Sequence, residues 1–144
     1  MAILGHDTAC PIAHSLDVLG DRWTLLIMRE AVRGSTRFSD FVTALGAPRD
    51  ILTARLATLV DGGALARQSY QQPGQRARDE YLVTEAGREL IVILLALGEW
   101  GTRHAGGSTT LRFADAETGE LVGARLATAD GRIVDPQRVV AVTR

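Results

Sequence analysis

The sequence predicts an α+β fold that is mainly helical, and three observations lead to this expectation. Apolar residues recur every three or four positions through most of residues 11–104, which is the spacing of amphipathic helices. One segment within that stretch alternates apolar and polar residues around a loop containing proline and glycine, which is typical of a β-hairpin. Beyond residue 107 the chain consists of short alternating segments separated by turn residues. We therefore expect a helical domain over residues 1–107 and a small β-rich extension over residues 108–144.

The composition is that of an ordinary globular protein with no global excess of charge. Its 16 basic residues, all of them arginine, nearly balance 17 acidic residues, so net charge alone indicates no nucleic-acid partner. The single cysteine, Cys10, excludes a disulfide within the chain. The longest apolar run, near residues 90–97, is far shorter than the ~20 residues that span a bilayer, and the N-terminus carries no signal-peptide pattern. We expect a cytoplasmic protein that binds no membrane.

Two helices are predicted at the start of the chain. The first begins at Pro11, because proline is favoured in a first helical turn, and it ends at Gly20. Asp21 is a suitable N-cap for the second. Apolar residues recur on one face of this second helix, which predicts burial of Trp23, Leu26, Ile27 and Ala31.

Two shorter helices follow, separated by the three-residue turn Gly-Ala-Pro. Ser39 can cap the first of them, which ends at Gly46. Pro48 is predicted in the first turn of the second, where the missing N–H of proline is tolerated. The inward stripe of this second helix is predicted to be Leu52, Leu56, Leu59 and Val60.

A hairpin and a long helix complete the predicted helical domain. Strands are expected near residues 64–70 and 79–84, around a basic tip, "QQPGQRAR". Thr84 can cap a helix that continues to about residue 105 and is apolar on almost every side between Leu90 and Leu97. In the extension, short strands are predicted in "LRF", "ELVGARLA", "RIV" and "RVVAV".

This order of elements is the layout of a winged helix-turn-helix, in which the second helix of the short pair enters the major groove of DNA. The helical wheel supports this assignment, because the residues opposite the leucine stripe are small or polar and let the backbone approach base edges. The predicted DNA-binding residues lie on that helix, before the helix pair and in the hairpin: Arg37, Ser39, Arg49, Asp50, Thr53, Ala54, Arg55, Arg76 and Arg78. An ordinary solvated face, or a module that binds protein or a small ligand without DNA, stays open as the alternative.

The net charge of this region is modest, since residues 21–88 hold 10 arginines and 8 acidic residues. Any affinity for DNA should therefore fall quickly as salt rises.

The apolar surface of the long helix exceeds what so small a domain can cover, so a second copy of the chain is the expected partner. The residues predicted at this dimer interface are Ile12, Leu16, Leu90, Ile93, Leu94, Leu97 and Trp100. Two copies would read successive turns of one duplex face, which predicts a near-palindromic site. The alternative is that the β-rich extension covers the helix within a monomer.

Cys10 allows more than one interpretation. A position at a helix N-terminus, one turn from His14, favours a thiolate and therefore a sensor of oxidants or electrophiles. A small, partly buried cap is the alternative. Catalysis is not expected, because no feature supplies a substrate cleft beside Cys10, His14 and Asp17. Although His6, Cys10 and His14 repeat at four-residue spacing, Pro11 interrupts the helix, so we predict neither a metal site nor a cofactor.

Four blocks of the sequence resemble the HxlR family of bacterial winged helix-turn-helix transcription regulators. They are "CPIAHSLDVLGDRWTLLIMREAVRGSTRFSDF", "GAPRDILTARLATLVDGGAL", "YLVTEAGREL" and "LLALGEWG", within residues 10–104. The resemblance implies a homodimeric DNA-binding regulator, expected to repress, whose first and last helices build the dimer. It places Asp50, Thr53 and Arg55 in the recognition helix and Arg76 and Arg78 in the wing. Some similar regulators respond to oxidants through an N-terminal cysteine, to which Cys10 corresponds.

The sequence departs from the family pattern in two places. Family members often carry a further basic residue where this chain has Ala57 and Thr58. The C-terminal extension of some members holds cysteine pairs suited to metal, and this chain lacks them beyond residue 107. We therefore predict no zinc in the extension.

Overall fold

The computed structural model describes residues 10–108 and 111–142. These residues form two compact units, the first ending at Ile91 and the second beginning at Val92.

The first two helices of the first unit are confirmed. Helix α1 is Pro11–Leu19, with Cys10 at its N-cap, and helix α2 is Arg22–Val32. The Asp21 carboxylate caps α2 by accepting the N–H of Trp23 at 2.8 Å. Helix α2 crosses the centre of the unit, and its buried residues are Thr24, Ile27, Met28, Glu30 and Ala31, so that the predicted Trp23 and Leu26 are only half-buried.

The short helix pair has the predicted three-residue turn, but both helix starts differ from the prediction. Helix α3 is Phe38–Leu45, so it begins one residue before Ser39, which lies in the first turn and is not the cap. The Asp40 carboxylate satisfies the N-terminus by accepting the Arg37 N–H at 2.9 Å. Helix α4 is Arg49–Asp61, and Pro48 is its N-cap rather than its first residue.

The turn between α3 and α4 depends on Gly46. Its φ of 61° lies in the left-handed region, and its N–H donates to the Val42 carbonyl at 3.0 Å. Glycine adopts this conformation without a Cβ penalty, so it ends α3 and directs the chain into α4. The leucines of α4 then complete the core of the first unit, whose fully buried large side chains are Ile27, Met28, Phe41, Leu52, Leu56, Leu59 and Leu65.

The hairpin consists of strands β1, Leu65–Tyr70, and β2, Arg78–Val83, paired antiparallel from Leu65 opposite Val83 to Tyr70 opposite Arg78. Arg78 is therefore the first residue of a strand, whereas the sequence had placed it on the hairpin tip. The segment before α3 adds a short third strand-like edge, which the sequence pattern does not predict. Arg37 bridges Glu80, and the Tyr81 N–H donates to the Thr36 carbonyl at 2.7 Å.

The predicted long helix is interrupted. Thr84 is its cap, as expected, and accepts the Gly87 N–H at 3.0 Å. Helix α5, Glu85–Glu89, ends in a tight turn in which the Leu90 N–H donates to the Gly87 carbonyl at 3.2 Å, and helix α6, Ile91–His104, follows. A single helix over residues 85–105 was therefore the wrong prediction.

The second unit contains most of α6 and the extension. Its strands are shorter and fewer than predicted: β3, Leu126–Ala127, pairs with β4, Ile133–Val134, and Ala114 forms one bridge with Leu121. The predicted strand "RVVAV" is absent, because residues 136–138 form a 3-10 turn and the described residues after it, 139–142, belong to no strand. None of residues 92–108 and 111–142 is fully buried.

Glu99 fixes the extension against α6. Its carboxylate accepts the Ala124 N–H at 2.9 Å and lies 3.2 Å from Nη1 of Arg125 and 3.5 Å from Nη1 of Arg103. The bond from Ala124, followed by the two arginine charges, lowers the pKa of Glu99 below its usual value.

Candidate nucleic-acid interface

The outward face of α4 is exposed and free of bulky side chains at its centre. Asp50, Thr53, Ala54 and Ala57 are all exposed, as the helical wheel predicts. With two methyl groups and a threonine there, the helix backbone can approach a base pair closely.

The hydroxyl of Thr53 already donates its proton to the Arg49 carbonyl at 2.8 Å. Its oxygen therefore remains available as an acceptor, which matches the amino donors of adenine and cytosine in the major groove. The same bond places Thr53 directly after Arg49 on one face of α4, because residues four apart are neighbours on a helix.

Two of the predicted arginines have their guanidinium groups over aromatic rings. The Arg49 guanidinium lies 5.0 Å from the centroid of Phe38, and the Arg37 guanidinium lies 4.7 Å from the centroid of Tyr70. A cation–π contact of this kind restrains the guanidinium group and leaves N–H donors available to a ligand.

These side chains border an open cleft of about 500 Å³ at the junction of α3, α4 and the hairpin. We call it the arginine cleft; it is lined by Arg37, Phe38, Ser39, Arg49, Tyr70, Arg78, Asp79 and Tyr81. Four of the predicted DNA-binding residues, from three separate parts of the chain, thus meet at one place.

Arg55 lies elsewhere. Its Nη2 atom is 3.1 Å from Oδ2 of Asp21, the N-cap of α2, and the two side chains are 37% and 34% exposed. Among the described residues its buried Nε has no hydrogen-bond partner. The fork of Arg55 is therefore directed toward α2, and its predicted contact with DNA stays a prediction.

The tip of the hairpin presents Arg76. The Gln75 N–H donates to the Gln72 carbonyl at 3.0 Å, and Gly74, with φ of 75°, follows Pro73 in the tight turn between them. Arg76 is exposed just beyond this turn.

The predicted dimer residues differ in exposure. In the first unit, Ile12 and Leu16 are 70% and 58% exposed, whereas Leu90 is half-buried. In the second unit, Leu97 and Trp100 are 49% and 56% exposed, Ile93 is also exposed, and Leu94 is half-buried. The extension thus leaves much of α6 uncovered.

Cys10 occupies the predicted position at the start of α1. It is half-buried, makes no side-chain capping bond, and its carbonyl accepts the His14 N–H at 3.1 Å. Nδ1 of His14 lies 3.9 Å from Oδ2 of Asp17. His6 lies outside the described residues. Within residues 10–108 and 111–142, no group of three or more His, Cys, Asp or Glu side chains could hold a metal ion.

The chain has a helix-turn-helix formed by α3 and α4, an exposed second helix, and a hairpin wing formed by β1 and β2. Together these features define a winged helix-turn-helix protein. The family model for the HxlR-like helix-turn-helix matches residues 18–108. The chain belongs to this family, which confirms the resemblance noted in the sequence.

Curated relatives carry names of the same class. The uncharacterized HTH-type transcriptional regulator Rv3095 of Mycobacterium tuberculosis is 41% identical over 93 residues, which are 65% of this chain and 58% of that protein. The chain thus matches less than two thirds of that relative's length. The uncharacterized HTH-type transcriptional regulator sll1512 of Synechocystis is 36% identical over 94 residues, 65% of this chain and 68% of that protein.

Solved structures show the same fold. The crystal structure of PA1607 has a TM-score of 0.78 and 31% identity, covering 96% of this chain and 97% of that one. The redox regulator HypR in its reduced form has a TM-score of 0.60 and 31% identity, covering 67% of this chain and 94% of that one. In the part of this chain that the structure describes, no helix is long and apolar enough to cross a bilayer.

Proposed function

We propose that this protein is a cytoplasmic, sequence-specific DNA-binding regulator of transcription that acts as a homodimer and represses. The observation that carries the proposal is the convergence at one site of an exposed recognition helix, a wing and the arginine cleft. The family and the names of the relatives support the same class of function.

In the proposed complex, α4 lies in the major groove with Thr53 and Ala54 toward the bases. Thr53 would accept from a base amino group, and the methyl of Ala54 would contact a thymine methyl. Arg76 on the wing tip would lie along a phosphate or enter the minor groove. Arg55 would act as a positioning residue that ties α4 to α2 rather than as a base contact.

The homodimer is supported by the exposed apolar side chains of α1 and of α6. Because an isolated monomer would leave Ile12, Leu97 and Trp100 largely in water, a second copy is the proposed cover. A two-fold dimer would present two recognition helices about 34 Å apart, which requires a near-palindromic site.

The test is a titration of fluorescently labelled DNA from upstream of the protein's own coding region. We expect binding that weakens steeply with salt, and weakens further in Thr53→Val, which keeps the methyl group but loses the acceptor. Arg88→Ala, on α5 and outside the interface, measures the general effect of losing one positive charge. Binding that changes neither with salt nor in Thr53→Val would refute DNA recognition. The alternative function, a protein-interaction module, would then remain.

A second proposal concerns Cys10 as a target of an oxidant or electrophile. Its place at the N-cap of α1, next to a proposed dimer surface, supports it, and HypR is a relative named as a redox regulator. Two Cys10 thiols, one from each copy, would be oxidised to an intersubunit disulfide while diamide is reduced to its hydrazine form. The DNA titration repeated with diamide should change for the wild type and not for Cys10→Ser. Equal responses would remove Cys10 from the mechanism.

A further inference from the structure

The arginine cleft collects unpaired positive charge from three separate elements. Arg37 precedes α3, Arg49 begins α4 and Arg78 begins β2, and all three border the same cleft. Within the described residues, none of the three forms an ion pair with a carboxylate, although Asp79 borders the cleft as well. Three arginines against one carboxylate leave a local charge of about +2 among the residues that line the cleft, which favours an anion there.

The aromatic residues of the cleft hold two of these arginines in place before any ligand arrives. Phe38 supports Arg49, and Tyr70 supports Arg37. An arginine whose motion is already restrained loses less side-chain entropy when it binds. Tyr81 lies on the same floor and packs edge-on against the buried ring of Phe41, with centroids 6.4 Å apart, so the floor is anchored in the core.

The chemistry of the cleft matches a tetrahedral oxyanion. Guanidinium groups present their donors in a flat fork that fits two oxygens of a phosphate, and several forks can share one phosphate. The start of α4 adds to this, because Pro48 supplies no capping side chain for its first N–H groups, and helix N-termini favour anions.

We infer that the arginine cleft is a clamp for a single backbone phosphate of DNA, gripped by Arg37, Arg49 and Arg78 together. This inference rests on the proposed function and specifies its geometry. DNA is the favoured source of the phosphate because Arg49 lies one turn before Thr53 on the same face of α4. A phosphate held there fixes the depth and register of α4 in the groove. The clamp then positions the helix, and Thr53 contacts the base.

The clamp makes a prediction that separate phosphate contacts do not. Each of the variants Arg37→Gln, Arg49→Gln and Arg78→Gln should weaken binding about tenfold. If all three grip one phosphate, the triple variant should lose far less than the product of the three. The triple variant should also reduce the slope of log affinity against log salt by about 0.9, the value for one phosphate. Three separate phosphate contacts would reduce the slope by about three times as much.

The experiment combines these variants with DNA in which single phosphates are replaced by neutral methylphosphonates. The wild type should lose about tenfold at one position in each half-site. The triple variant should lose nothing further there and keep normal losses elsewhere. Arg88→Gln, at matched charge, should keep the wild-type pattern, and thermal melting confirms that each variant is folded.

The outcomes separate the inference from the proposed function. Two results, each with a wild type that binds DNA, would overturn the clamp and leave DNA recognition intact. In the first, the three single variants lose their sensitivity at different phosphates. In the second, all three single variants bind as well as Arg88→Gln. A wild type that binds no duplex in a salt-dependent way would overturn both. A shared phosphate position, lost in all three variants, supports the clamp.

Discussion

Asp21 has two roles, as the N-cap of α2 and as an ion-pair partner of Arg55, and two substitutions can separate them. Its carboxylate caps α2 through the Trp23 N–H and also pairs with Arg55 of α4. Asparagine is as good an N-cap as aspartate, so Asp21→Asn keeps the cap and removes the ion pair, whereas Asp21→Ala removes both.

The expected magnitudes follow from these contacts. Loss of an N-cap costs about 1 kcal/mol. The ion pair is about one third exposed on each side, so we discount it for solvent screening to about 0.5 kcal/mol, at the lower part of the range for surface pairs. Asp21→Asn should therefore lower the free energy of unfolding by about 0.5 kcal/mol, and Asp21→Ala by about 1.5 kcal/mol.

Urea denaturation at one fixed protein concentration measures both values, since a dimer's stability depends on concentration. Arg55→Met completes the double-mutant cycle, and the coupling with Asp21→Asn should be about 0.5 kcal/mol. Equal destabilisation by the two Asp21 variants, or no coupling to Arg55, would refute the division into cap and ion pair.

The same variants test the positioning role of Arg55. Removing an acid near DNA should by charge alone strengthen binding. If Arg55 positions α4 through Asp21, Asp21→Asn should weaken binding instead. A gain in affinity, the result that charge alone predicts, would refute the positioning role of Arg55.

Three further predictions concern single features. Gly46→Ala should destabilise the protein by about 1 kcal/mol, because its φ of 61° is left-handed, while Gly98→Ala, in open space within α6, should not lower the melting temperature. Asp79→Asn removes the carboxylate of the arginine cleft and should tighten DNA binding several-fold at low salt; unchanged affinity would place Asp79 away from the DNA. The folded-state pKa of Glu99 is lowered, so its hydrogen bond with the Ala124 N–H should persist above pH 4.5 and be lost only as pH falls through the lowered value. The NMR chemical shift of the Ala124 amide should therefore change with pH only below pH 4.5. An inflection above pH 4.5 would contradict the contact.

Most elements of the first unit could be predicted because their signals are local. Asp21 as a cap, Gly46 as a helix stop and the leucine stripe of α4 each depend on a few neighbouring residues. The cap predicted at Ser39 lies two residues earlier, at Arg37, and the start predicted at Pro48 lies one residue later, at Arg49. The prediction relied on side-chain type, whereas the Asp40 carboxylate accepts the N–H of the actual cap of α3.

Other features could not be read from the sequence because they depend on tertiary contacts. The strand-like edge at Thr36 and Arg37 is too short to carry an alternating pattern. The turn at Leu90 breaks a helix without a proline to mark it. The roles of Phe38 and Tyr70 beneath the arginines appear only when three distant segments meet, although the arginines themselves were identified.

The backbone bond from Tyr81 to Thr36 has a mechanical consequence. It ties the hairpin to the segment that leads into α3, and the Gly46 turn ties α3 to α4, so the wing and the recognition helix are coupled by short, hydrogen-bonded links. Within one copy, the distance between the recognition helix α4 and the hairpin wing is therefore set when the chain folds. A duplex whose grooves do not match that distance has to bend or twist to fit, so the stiffness of the DNA itself becomes part of what is selected.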